Sequence, residues 1–198
     1  MSEPLPGTQN YDREAPTLLK LYEEIAFEDA HRELLDLIPP APCAVLDIGA
    51  GTGRDAAWFA ARGDAVTALE PTNAMREGAQ QLHPAPNITW HDDGLPALTS
   101  VRGRVFDLVW LSAVWMHFDA EERARMFPDI AALVGDRGAL MISLRHGDIP
   151  EGRRMFAVSA EETIALASHA GLACLRTVLV DSLRQPGVRW SRLWFTRR

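Results

Sequence analysis

The sequence predicts an α/β protein in which a mostly parallel sheet is covered by helices on both faces. Short apolar runs alternate with segments of helical periodicity through most of the 198 residues. A glycine-rich turn, Gly49 to Gly53, separates the first apolar run from an alanine-rich segment. No repeat or low-complexity tract interrupts the alternation. Alternation of this kind is typical of parallel strands that are connected by helices.

The strands are predicted where apolar residues run together without helical spacing. They cover Ala44–Ile48, Ala65–Leu69, Ile88–His91, Phe106–Leu111, Ala139–Leu144, Leu172–Val180 and Val188–Thr196. Tryptophans other than Trp115 are assigned to the core, namely Trp58, Trp90, Trp110, Trp190 and Trp194.

The helices are predicted from apolar spacing and from their end signals. A long leading helix covers Tyr11 to Ile38 and is stopped by prolines. Two later helices carry capping pairs, in which a side chain accepts a hydrogen bond from the backbone three residues on. The helix after the glycines ends at Gly63, and a further helix covers Asn73–Leu82. The first capped helix begins at the pair Asp119 and Glu122 and ends near Gly135. The second begins at the pair Ser159 and Glu162 and ends at Gly171.

Composition and charge limit the class of partner. The net charge is −7, and it divides into −11 over residues 1–144 and +4 over residues 145–198. An acidic body argues against strong non-specific binding to nucleic acid. Cys43 and Cys174 have no metal-like spacing, and neither a signal peptide nor a membrane-spanning run is evident. We therefore expect a cytoplasmic protein with no membrane partner and no metal.

The glycine turn is the strongest candidate for a ligand site, because ligands of parallel sheets bind beyond the carboxyl ends of the strands. The dinucleotide fingerprint needs a third glycine or an alanine where Arg54 stands, and the phosphate loop needs a lysine that is absent. What remains is an acid followed by three alternating glycines: Asp47, Gly49, Gly51 and Gly53.

This segment resembles motif I of the class I S-adenosylmethionine-dependent methyltransferases. Further motifs follow in matching order: Glu70 ends the second strand, Asp92 and Asp93 follow the third, and residues 106–118, FDLVWLSAVWMHF, match the fourth strand and its loop. The resemblance extends from about residue 11 to residue 198. It implies a Rossmann-like, doubly wound sheet of seven strands with the last one antiparallel. It also implies S-adenosylmethionine as cofactor, S-adenosylhomocysteine as product, and one methyltransferase domain over residues 1–198, with a helical lid at 1–40 and a core at 41–198.

The resemblance also assigns roles around the cofactor. Asp47 would orient the loop or hold the cofactor's ammonium through water, and Arg54 would face its carboxylate or remain a solvated first-turn arginine. Glu70 would accept hydrogen bonds from both ribose hydroxyls, since a carboxylate has two acceptor oxygens. Asp93, in preference to Asp92, would lie near the adenine amino group. The expected cofactor-binding residues are Asp47, Gly49, Ala50, Gly51, Thr52, Gly53, Arg54, Glu70, Pro71, Asp92, Asp93, Gly94, Leu95, Ser112 and Ala113.

Methyl transfer is a one-step displacement, so the protein mainly aligns the partners, and a base helps where the acceptor must lose a proton. His117, after the fourth strand, and His146, after the fifth, are the candidate bases. Packed or loop histidines are the alternatives. Expected substrate-lining residues are Tyr11, Tyr22, Trp115 and Arg145.

Motifs of several other methyltransferase classes are missing. Leu111 to Val114 stands where amino-directed nucleic-acid enzymes carry an Asp/Asn-Pro-Pro-aromatic motif, and Pro42-Cys43 lies before the first strand, at the wrong end of the sheet for a cysteine nucleophile. The paired-glutamate loop of protein arginine methyltransferases is also missing. We therefore expect a small-molecule acceptor. The alternatives are an RNA or protein methyltransferase that uses the basic C-terminal region, and a cofactor-binding module without chemistry.

Overall fold

The computed structural model describes residues 5–197, in which seven strands form one sheet. The sheet order is β3-β2-β1-β4-β5-β7-β6. The strands are β1 (Ala44–Ile48), β2 (Ala65–Leu69), β3 (Ile88–His91), β4 (Phe106–Leu111), β5 (Val134–His146), β6 (Leu172–Asp181) and β7 (Arg189–Arg197). The predicted domain limits at residues 1 and 198 lie outside the described residues.

The predicted fold class is confirmed. Strands β1 to β5 pair in parallel, while β7 lies between β5 and β6 and is antiparallel to both. The order reverses at β1, where one half of the sheet proceeds to β2 and the other to β4. This is the switch point at which a ligand is expected.

The predicted bounds of β1 to β4 coincide with the observed ones. Strand β5 begins at Val134 instead of Ala139, because Val134 already pairs with Phe106 before a register shift. Glycines at 135 and 138 allow this start, since a Cβ at Gly138 would lie 2.7 Å from the carbonyl oxygen of Phe106.

Within residues 5–197, six α-helices flank the sheet, and the last two begin at the predicted caps. The helices are α1 (Tyr11–Glu23), α2 (Phe27–Ala30), α3 (Arg54–Ala61), α4 (Asn73–Leu82), α5 (Ala120–Ala132) and α6 (Ala160–His169), with short 3₁₀ turns at Arg32–Leu37, Thr99–Val101 and Trp115–His117. Asp119 and Glu122 form the full reciprocal capping box, and Ser159 accepts from the Glu162 N–H. None of the helices in the described part is long and apolar enough to cross a membrane.

The prediction of one helix from Tyr11 to Ile38 was wrong, because the chain breaks after Glu23. Side chains from distant segments take up the carbonyl groups at the break. Arg54 donates to the carbonyls of Tyr22 and Ile25, and Arg184 donates to that of Leu21. These donors replace the intrahelical bonds that a longer helix would have formed.

Alternate residues of the central strands face two apolar layers. Leu108 and Trp110 of β4 pack in the layer with Phe59 of α3, whereas Val109 and Leu111 belong to the other layer, which includes α5. The central, parallel part of the sheet is thus buried on both faces, as a parallel sheet requires.

The second layer contains a buried arginine. Arg123 of α5 is 1% exposed and forms a bidentate pair with Glu162 of α6, at 2.7 and 2.9 Å. It also donates to the carbonyls of Phe118 and Ala157. Arg123 therefore ties the segment after β4, which contains His117, to the chain before α6.

Replacing Arg123 with methionine is expected to lower the free energy of unfolding by about 3 kcal/mol, because Glu162, the buried Phe118 carbonyl and the Ala157 carbonyl lose their donor. Urea denaturation measures this change. Arg125→Met on the same helix is the control, since Arg125 is exposed and its Glu121 contact spans 3.8 Å. Equal stability losses in the two variants would contradict the assigned role.

Candidate active site

A cavity of about 450 Å³ opens at the carboxyl ends of the central strands. Its walls come from the loops after β1, β2 and β4, from the ends of β5 and β7, and from α1 and the N-terminal strap, which we define as residues 5–14. Sixteen of the residues expected from the sequence line it: Tyr11, Tyr22, Asp47, Gly49, Ala50, Gly51, Thr52, Arg54, Glu70, Pro71, Gly94, Leu95, Ser112, Ala113, His117 and Arg145.

The glycine loop meets the cavity at Gly51. Gly51 has φ +58°, and a Cβ there would have no neighbour nearer than the Gly49 carbonyl oxygen at 4.0 Å. The backbone at Gly51 is thus in the left-handed region, and the open space beside it leaves room for a ligand to approach the backbone. Gly53 differs, because its Cβ would strike the Trp90 ring at 2.9 Å. Gly53 serves the packing beneath the loop and does not line the cavity.

Glu70 links the loops after β1 and β2. One carboxylate oxygen accepts from the Gly51 N–H at 2.9 Å and the other from the Thr72 N–H at 2.8 Å. Burial raises the pKa of Glu70, and the two N–H donors oppose this rise. Each oxygen keeps a lone pair, so the carboxylate is able to accept two more donors from a ligand in the cavity.

Two buried aspartates near the loop have opposite surroundings. Asp55 accepts from His31 at 2.9 Å, from Trp110 at 2.8 Å and from Arg54 at 2.8 Å. One oxygen of Asp47, by contrast, is buried with no hydrogen-bond partner in the described residues. Burial, followed by the charge of Asp55, raises the pKa of Asp47 well above its usual value. The cavity therefore has an unsatisfied acceptor beside its glycine loop.

His117 and Tyr11 meet at the other side of the cavity. His117 Nδ1 lies 2.8 Å from the carbonyl oxygen of Arg154, and its Nε2 lies 3.4 Å from the Tyr11 hydroxyl. Because a carbonyl only accepts, Nδ1 carries the proton and Nε2 presents its lone pair. Burial, and then the charges of Arg153 and Arg154, lower the pKa of His117 despite its bond to the carbonyl.

The N-terminal strap closes over this pair. Gly7 has φ +88°, and a Cβ there would lie 2.7 Å from the Cβ of His117. The Arg153 guanidinium stacks 4.1 Å from the Tyr11 ring centroid and pairs with Glu14 at 2.5 Å. The strap is thus docked on the loop that follows β5.

Five of the expected site residues lie outside the cavity lining. Asp93 is buried and accepts from the backbone of Gly94 and from Ser100, and Asp92 is exposed and pairs with Arg76 at 3.2 Å. The others are Gly53, described above; Trp115, which is fully buried and packs edge-on against Phe127; and His146, whose Nε2 lies 2.7 Å from the Ser191 hydroxyl.

On the side of the cavity formed by β5 and β7, the sequence reasoning found only Arg145. Ser143 of β5 and Trp190 and Arg192 of β7 line it. The assignment of Trp190 to the core is corrected, since it is half-buried at the cavity. Strand pairing brings these residues together, and no local pattern in the sequence marks it.

Three comparisons with known proteins bear on this site. The family model described as "Methyltransferase domain" matches residues 45–138, which run from β1 through the glycine loop and His117 into β5. The search of curated proteins gives no match.

Solved structures share the fold at low sequence identity. Magnesium protoporphyrin IX methyltransferase from Synechocystis, with bound SAM, has a TM-score of 0.70 and 20% identity, with 93% of this chain and 84% of that chain covered. The Burkholderia thailandensis 1,6-didemethyltoxoflavin-N1-methyltransferase, with its substrate and S-adenosylhomocysteine bound, has a TM-score of 0.66 and 19% identity, covering 100% and 93%. A TehB-like SAM-dependent methyltransferase from Corynebacterium glutamicum has a TM-score of 0.69 and 19% identity, covering 94% and 99%.

The motif order in the sequence, the strand order of the sheet and the family match agree. Residues 45–138 match the methyltransferase-domain family, and the sheet has the Rossmann-like fold of the methyltransferases.

Proposed function

We propose that the chain binds S-adenosylmethionine in the cavity and directs its methyl group to a small-molecule acceptor. The observation that carries the proposal is the continuity of the cavity from Glu70 and the glycine loop to His117. The volume lies in the usual range for small-molecule sites. The structural neighbours described above include enzymes that were crystallised with this cofactor, its product or a small-molecule substrate.

The residues at the glycine loop fit the cofactor chemically. Glu70 has acceptor capacity for the two ribose hydroxyls, and Asp47 has a buried oxygen without a partner for an ammonium group or its bound water. When bound, the cofactor supplies a methyl group on a positively charged sulfur, which is a good leaving group. Asp93 has its carboxylate engaged with its own loop, so we assign it the role of holding that loop.

The chain's contribution to transfer is alignment, exclusion of water and removal of a proton. His117 is the proposed base, because its Nε2 lone pair lies at the cavity and its lowered pKa keeps it neutral near pH 7. His146 lies outside the cavity and has no part in this proposal. The strap, with Gly7 and Tyr11, shields the base from solvent.

The basic C-terminal region gives little support to a nucleic-acid substrate. Within the described residues, five of its arginines are already paired with carboxylates: Arg153 with Glu14, Arg154 with Glu122, Arg176 with Asp36, Arg184 with Glu24 and Arg192 with Glu33. Steep loss of RNA binding with added salt would favour the nucleic-acid alternative.

Binding of S-adenosylhomocysteine to the purified chain, measured by calorimetry, tests the proposal. We expect micromolar or tighter binding, and Glu70→Gln is expected to raise Kd at least about tenfold, since an amide donor would replace an acceptor oxygen. Glu77→Gln on the exposed face of α4 is the matched control. Absence of binding to the wild-type chain would refute the cofactor assignment. Binding without turnover of any acceptor would favour the non-catalytic module.

A further inference from the structure

The acceptor side of the cavity is lined by one face of β5 and β7. The register pairs Arg145 with Trp190 and Ser143 with Arg192, so these four side chains lie on the same face of the sheet. All four line the cavity. We refer to this group as the β5–β7 face. It combines an aromatic ring with guanidinium groups.

The arginines that line the cavity differ in how their charges are balanced. Within residues 5–197, four of the five have a carboxylate within 4 Å. These pairs are Arg54 with Asp55, Arg153 with Glu14, Arg184 with Glu24 and Arg192 with Glu33. Their charges are therefore largely compensated by the protein itself.

Arg145 is the exception in this part of the chain. Its guanidinium donates to the carbonyl of Asp148 at 2.7 Å, with longer contacts to the Gly147 carbonyl and the Gln185 amide oxygen. All three acceptors are neutral. Asp181 also lines the cavity, but it is exposed and does not pair with Arg145 in the described residues. Arg145 thus presents an uncompensated positive charge at the half-buried end of β5.

A carboxylate is the natural complement of such a group, because a guanidinium binds it through two parallel charge-assisted hydrogen bonds. Trp190 pairs with Arg145 across the strands and offers a flat apolar surface beside it. Planar ligands stack on such a ring. The β5–β7 face therefore suits a ligand that is both flat and anionic.

We infer that the methyl acceptor is a planar, carboxylate-bearing small molecule whose carboxylate binds Arg145 and whose flat part lies against Trp190. This inference rests on the proposed function and specifies its substrate class. It assigns Arg145 to acceptor recognition and leaves cofactor binding to the glycine loop and Glu70.

The test uses paired aromatic compounds, each as the free carboxylate and as the primary amide, that carry a hydroxyl, amine or ring nitrogen as methyl acceptor. Binding to the chain saturated with S-adenosylhomocysteine is measured by ligand-observed NMR, and turnover is measured with S-adenosylmethionine. We expect the carboxylate forms to bind and react in preference to the amides by at least about tenfold. Arg145→Met is expected to remove this preference, mainly through KM, and Arg145→Lys is expected to restore part of it.

The control is Arg189→Met, which removes the same charge from the neighbouring position on β7 outside the cavity lining. It is expected to leave the preference unchanged. The inference is wrong if no carboxylate binds the loaded chain, if acids and amides are used equally, or if Arg145→Met weakens both forms alike. Failure of S-adenosylhomocysteine itself to bind would be a failure of the proposed function, and it is measured separately before the acceptors are added.

Discussion

Asp47→Asn is expected to stabilise the ligand-free chain while weakening binding of S-adenosylhomocysteine at least about tenfold. Asp47 is buried with an oxygen that has no partner, so its charge is desolvated without compensation. A neutral amide of the same shape removes the cost of burying an unpaired charge, which exceeds the cost of about 1–3 kcal/mol for a neutral unsatisfied group. The loss of binding follows because the site then lacks an anionic acceptor for the cofactor.

The stabilisation should depend on pH in a defined direction. The folded chain holds the Asp47 proton more tightly than the unfolded chain does, because the pKa of Asp47 is raised on folding. The destabilising contribution of Asp47 is therefore absent below the unfolded pKa of about 3.9, and it grows as pH rises toward the folded value. The difference between variant and wild type should widen over that range and stay constant above it.

Asp55→Asn is the matched comparison, and it is expected to change the free energy of unfolding in the opposite direction. Burial would raise the pKa of Asp55, but His31 and Arg54, with donors from His31 and Trp110, outweigh it and hold the pKa below its usual value. This substitution is expected to destabilise the chain by about 3 kcal/mol near neutral pH, and by less as pH falls below about 3.9. Urea denaturation of both variants from about pH 2.5 to pH 8 measures the two effects. Equal signs would contradict the assigned environments.

His117→Gln is expected to lower kcat by about 10²–10⁴-fold for an acceptor that loses a proton, and to remove the acidic limb of the pH–rate profile. The limb should lie below the usual histidine pKa of about 6.5, since the pKa of His117 is lowered, and the rate should rise with pH through it. Cofactor affinity should be preserved, because the glycine loop and Glu70 are unchanged.

Steady-state rates from pH 5 to pH 9, together with Kd for S-adenosylhomocysteine, separate the two roles of this position. His169→Gln is the control, since His169 lies on α6 and bonds only a carbonyl of its own helix, in the described contacts. Unchanged turnover in the His117 variant would exclude it as the base. If the affinity for S-adenosylhomocysteine and kcat fell by the same factor, a purely structural role for His117 would be indicated instead.

Local sequence signals were sufficient for much of the fold. The bounds of β1 to β4 coincide with the predicted runs, which are followed by Gly49, Glu70, Asp92 and Ser112. Asp119 and Ser159 cap their helices as predicted. The leading helix failed because Arg54 and Arg184, distant in sequence, take up its carbonyls. Periodicity carries no information about such donors.

The candidate site also has a part that local motifs predict and a part that depends on strand pairing. The glycine loop and Glu70 are contiguous with their strands, so short motifs could place them. Trp190 and Arg192 reach the cavity only through the pairing of β7 with β5, and residue type alone favoured a core or a solvated position for them. The residues on the cofactor side of the cavity were therefore easier to predict from the sequence than those on the acceptor side.

The position of β7 between two earlier strands has a consequence for synthesis of the chain. Until residues 189–197 have emerged, β5 has an unpaired edge in the middle of what becomes the sheet, and β6 has no neighbour. The glycine loop lies on strands β1 to β4, so it can form before β7 is added to the sheet. A nascent chain would then have its cofactor side assembled before its acceptor side, and chaperone protection would matter most for the open edge of β5.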